Sequence, residues 1–154
     1  MIKLISNSTD ETKMLGRKLA PHLQKGNTLV LSGDLGAGKT MFVSGILSYY
    51  GKEKEASSPT FTIINEYELT NELTLFHFDV YRFDFEDEFL AIGGEEFYDK
   101  GICLIEWGEK IQSYLPHEYI KISISKDTED ENKRVIEFTS VGNKYESFLS
   151  EVFK

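Results

Sequence analysis

Gly33-Asp34-Leu35-Gly36-Ala37-Gly38-Lys39-Thr40 fits the spacing G-x-x-x-x-G-K-[ST]. Its surroundings turn the string into a site. The apolar Leu29-Val30-Leu31 before it reads as a buried strand. Met41-Phe42-Val43-Ser44-Gly45-Ile46-Leu47 after it reads as a helix with Phe42, Ile46 and Leu47 on one face. Strand, glycine loop, helix is the context a phosphate-binding loop requires. Glycines let successive backbone N–H groups turn inward around a phosphate, and the helix N-terminus adds partial positive charge. Lys39 reaches the outer phosphates, and the Thr40 hydroxyl suits a magnesium ion. A chance match in a chain this size has odds on the order of one per cent or less. The loop implies a nucleotide without saying which.

With 154 residues the chain has the size of one domain, and it is read as one α/β domain over 1–154. Eleven Phe and eight Tyr can fill one good core. No apolar run is long enough to span a membrane, and the N-terminus turns polar too soon for a signal peptide. The single Cys103 lies in an apolar stretch and suggests neither a disulfide nor a zinc site. These features point to a reducing cytoplasm. The net charge of −9 weighs against autonomous binding to nucleic acid, which needs a basic surface.

Ser8-Thr9-Asp10-Glu11 has the form of a capping box, and Leu15, Leu19 and Leu23 carry the helix that follows towards Gly26. The polar stretch from Gly51 to Pro59 reads as a loop. The segments from Thr60 to Glu68 and Leu73 to Tyr81 predict a β-hairpin. Asp84 to Leu90 predicts a short helix, Gly101 to Trp107 a buried parallel strand, and Lys110 to Leu115 a helical turn. Tyr119 to Ile124 and Arg134 to Phe138 alternate and form a second hairpin. Tyr145, Phe148, Leu149 and Val152 predict a final amphipathic helix. The fold class is therefore α/β: a phosphate-loop unit in a mixed sheet, with antiparallel hairpins and flanking helices.

A phosphate loop needs a carboxylate near its metal, and the end of a neighbouring strand is the natural place for one. Asp79 and Glu106 both fit, as acids that hold magnesium or orient an attacking water. Each also fits as a solvated acid at a strand end.

Four stretches taken together resemble the bacterial TsaE (YjeE) family. They are the glycine loop, Ser58-Pro59-Thr60-Phe61 continuing to Glu66-Tyr67, His77-Phe78-Asp79-Val80-Tyr81-Arg82, and Ile105-Glu106-Trp107. Their order and spacing cover nearly the whole chain. The resemblance implies a magnesium-dependent ATPase needed to make threonylcarbamoyladenosine in tRNA. It implies partners TsaD and TsaB, with tRNA reached only through them. It makes Thr40 and Glu106 the magnesium ligands, Asp79 the Walker B acid, and Ser58-Pro59-Thr60 a nucleotide-sensing switch. It places Thr9 and Arg134 near the adenine; Thr9 also reads as part of the helix cap and Arg134 as surface. Gly108 stands where the family usually has proline, which implies a looser turn. His77 reads as structural.

Two other functions compete. A small nucleotide or metabolite kinase needs positive charge to clamp the migrating phosphoryl group, and Arg17, Arg82 and Arg134 are the only arginines. A guanine-specific switch protein needs N-K-x-D, and Asn132-Lys133-Arg134-Val135 lacks the acid.

Overall fold

A computed structural model describes residues 1–56 and 63–154. One mixed sheet of seven strands runs through it. The strands are β1 (Ile2–Ser6), β2 (Thr28–Ser32), β3 (Ile64–Thr70), β4 (Leu73–Asp79), β5 (Ile102–Glu106), β6 (Tyr119–Lys126) and β7 (Arg134–Val141). They lie in the order β1-β7-β6-β2-β5-β4-β3. The central pairs β6–β2, β2–β5 and β5–β4 are parallel, and both hairpins, β3–β4 and β6–β7, are antiparallel. The central strands are covered on both faces, which is why β2 and β5 read as unbroken apolar runs.

Side-chain alternation sorts the two faces. Leu29, Leu31, Leu75, Ile102 and Leu104 pack under α1 (Thr9–Leu19), α2 (Lys39–Tyr49) and α4 (Glu146–Val152). Phe76, Phe78, Cys103 and Ile105 pack under α3 (Asp87–Ala91) and the 3₁₀ turns Gly94–Phe97 and Gly108–Tyr114. α1 and α2 approach closely because each carries a glycine at the crossing. A Cβ on Gly16 would stand 2.1 Å from the Phe42 carbonyl oxygen, and one on Gly45 would stand 1.9 Å from that of Lys13.

Several boundaries differ from the sequence reading. The first helix ends at Leu19, and Pro21 turns the chain into a 3₁₀ turn at Ala20–His22 before it can reach Gly26. β4 stops at Asp79, two residues before Tyr81. The β1 strand was not anticipated; it is short, alternates only weakly, and is held by pairing with β7. The expected switch at Ser58, Pro59 and Thr60 lies outside the described residues.

Candidate active site

The C-terminal ends of β1, β2, β4, β5 and β6 all point to one end of the sheet, as the pairing directions require. The segments that leave them enclose a cleft of about 420 Å³. Leu35, Gly36, Ala37, Gly38, Lys39 and Thr40 form its floor. Asp79, Glu106 and Trp107 form one wall, and Ser8, Thr9, Glu131, Asn132 and Arg134 form the other. Gly33 and Asp34 stand outside the lining, at the foot of the loop.

The loop is shaped by Gly36 at φ 77° and Gly38 at φ 112°, both in the region that favours glycine. Gly38 is also the N-cap of α2 and has no side chain to cap it. The helix therefore presents its positive end to the cleft. Lys39 begins α2 and is nearly buried. Its Nζ lies 3.6 Å from Glu106 Oε1 and 5.0 Å from the centre of the Trp107 ring.

The two acids arrive by strand parity. Asp79 and Glu106 are partners in the β4–β5 register, on the face that α2 covers. Their surroundings differ. Asp79 is half-buried, and its Oδ1 accepts from the Tyr81 N–H at 2.9 Å. Glu106 is buried, with Oε1 towards Lys39 and Oε2 2.7 Å from His77 Nε2. The solvated-acid alternative thus fails for Glu106. His77, read as structural, is buried and its ring meets Glu106.

The remaining expectations resolve residue by residue. The Ser8 hydroxyl caps α1 by accepting from the Glu11 N–H at 3.1 Å, and Thr9, the first residue of that helix, is exposed on the cleft wall. Arg134 is not idle surface. Its Nε donates to the Ala37 carbonyl at 2.9 Å and its Nη2 to that of Gly36 at 3.4 Å, which braces the loop from β7. Trp107 sits at φ 65°, a conformation that costs a bulky residue about 1–2 kcal/mol. A tilted ring contact with Tyr81, at 4.9 Å between centroids, helps to hold it there. Gly108 is buried, and a Cβ would stand 2.6 Å from Val30 Cγ1. Sequence reasoning missed Glu131 and Asn132, which a polar connection between hairpin strands gave no reason to single out.

The loop backbone with Lys39, the Thr40 hydroxyl and the Asp79 and Glu106 carboxylates suits a phosphate chain and a hard divalent cation. Among the described residues, no group of three or more His, Cys, Asp or Glu could hold a metal alone. A magnesium ion here would draw other ligands from water and phosphate, as that ion commonly does.

The family model for "Threonylcarbamoyl adenosine biosynthesis protein TsaE" matches residues 6–136. The chain belongs to the TsaE family. The TsaE protein of Bacillus subtilis is 43% identical over 143 residues, covering 93% of this chain and 88% of its own. That of Haemophilus influenzae is 36% identical, covering 92% of this chain and 94% of its own. A crystal structure of Bacillus subtilis YdiB is similar, with a TM-score of 0.76 and 38% identity over 98% of this chain and 93% of that one. The TsaE match runs from the end of β1 into the start of β7 and takes in every residue that lines the cleft.

Proposed function

We propose that this chain is a magnesium-dependent ATPase of threonylcarbamoyladenosine synthesis in tRNA, acting on the TsaD–TsaB pair. One observation carries the reading. The glycine loop, Lys39, and two acids from adjacent parallel strands converge on a single cleft. Membership of the TsaE family supports the pathway.

ATP with magnesium would supply a phosphoanhydride bond to break and a cation that neutralises charge on the outer phosphates. The chain's own residues do the rest. The loop amides and the start of α2 bind the phosphates, and Lys39 reaches the outermost of them. Thr40 and Glu106 hold the cation, and Asp79 orients the attacking water. Arg134 keeps the loop in shape by gripping the Gly36 and Ala37 carbonyls. Thr9 and Asn132 stand on the wall left for the base.

Calorimetry tests the reading. MgATP should bind saturably at one site, and Lys39→Ala should weaken binding by on the order of tenfold or more, the loss of a charged phosphate contact. GTP binding as tightly as ATP would reject the adenine assignment. Binding unchanged in the Lys39 variant would reject the site.

A further inference from the structure

We propose that His77 is a positioning residue. It holds one oxygen of Glu106 so that the other stays aimed at Lys39 and the cleft. This rests on the reading of Glu106 as a magnesium ligand.

His77 lies on β4 two residues before Asp79, so both side chains leave the same face of the strand. β5 runs alongside, and Glu106 at its end comes within reach of the ring. Both side chains are buried, at 1% and 5% exposure. The Nε2–Oε2 separation of 2.7 Å is that of a charge-assisted bond. Nε2 is the ring nitrogen that faces the carboxylate oxygen. Nδ1 has no partner among the described residues.

That orphaned nitrogen distinguishes the role from packing. A buried polar atom is unfavourable unless bonded, and an apolar residue would fill this core position without one. Glu106 is what the ring nitrogen serves. With Oε2 fixed, the flexible Glu106 side chain presents Oε1 in one direction. Partners that orient a metal's ligands typically change metal affinity by about 10–100-fold when removed.

Two substitutions separate position from bulk. The amide nitrogen of His77→Gln falls near the place of Nε2, whereas that of His77→Asn falls near Nδ1 and cannot reach Glu106. Trp107 is the only tryptophan and lies on the cleft wall, so its fluorescence reports nucleotide binding. A non-hydrolysable ATP analogue would be titrated with magnesium against each protein. The Gln variant should need magnesium within about threefold of wild type, and the Asn variant about tenfold more or greater. Metal-free affinity should be alike in all three. An equal magnesium requirement in the Gln and Asn variants would overturn the proposal. If the Asn variant does not fold, His77→Met, which fills the space without a donor, takes its place: a rise of about tenfold in its magnesium requirement supports the role and a wild-type requirement overturns it. A wild-type response that ignores magnesium would instead sink the reading of Glu106 as a metal ligand, and this inference with it.

Discussion

At the scale of single residues, burial separates groups that look alike in sequence. Asp79 and Glu106 both close a strand, yet only Glu106 is buried, between Lys39 and His77. Asp79→Ala should therefore cost only about 1 kcal/mol of stability, one hydrogen bond, while removing most hydrolysis. Glu106→Ala should cost about 3 kcal/mol or more, because it strands two buried partners. Melting curves recorded beside turnover would check this; equal stability losses would refute the contrast. Cys103 makes a second case. Burial, with a smaller contribution from Asp99, pushes its thiol from 9.0 up to about 12, and Sγ donates to the Phe97 carbonyl at 3.3 Å. A thiol reagent at pH 8 should label it only after unfolding; rapid native labelling would contradict its burial. The native state keeps a proton that the unfolded chain gives up above pH 9.0, and Tyr98 shifts in the same direction. Stability should therefore fall as pH rises from about 9 towards 12, measurable as a declining denaturation midpoint.

At the scale of elements, the closeness of α1 and α2 fixes where the glycine loop sits over the sheet. Gly45→Ala poses two opposed effects. Alanine gains about 1 kcal/mol of helix propensity. Its Cβ would also stand 1.9 Å from the Lys13 carbonyl oxygen, a backbone atom that cannot step aside, and such overpacking costs about 1–3 kcal/mol or more. The clash should win, lowering the melting temperature by several degrees; an unchanged or raised value would mean the helices part without cost. The sequence announced neither glycine, because a close crossing needs two segments brought together. The acidic residues Glu86, Asp87 and Glu88 lie at the start of α3, and their tertiary contacts were not visible in the sequence. These acids are exposed or half-buried, and they also make contacts: Glu86 accepts from the Ser113 N–H at 3.1 Å and Asp87 from the Tyr114 hydroxyl, so they tie α3 to the turn after Trp107. By contrast, β5, the two hairpins and the strand–loop–helix unit were legible, since each carries its own periodicity or glycine spacing. Lys39, Asp79 and Glu106 were legible through their places on those elements. The His77–Glu106 bond was not, because it depends on strand pairing across 29 residues.

At the scale of the whole molecule, the distribution of charge argues for partners. The net charge is −9, so the isolated chain should bind tRNA poorly at physiological salt, and a tight complex in a filter-binding assay would contradict that. Fast phosphoryl transfer also needs cationic charge on the transition state, often from an arginine. The three arginines here do not supply it freely. Arg17 bonds Ser48, away from the cleft; Arg82 is exposed and does not line the cleft; Arg134 is engaged with loop carbonyls. On the proposed reading, TsaD and TsaB would supply that missing charge. The most direct test is the rate of ATP hydrolysis by the purified chain, alone and with the TsaD–TsaB pair. The account predicts slow turnover alone, a rise on the order of tenfold or more with the pair, and loss of that rise in Lys39→Ala. Full turnover by the chain alone, unchanged when the pair is added, would contradict it.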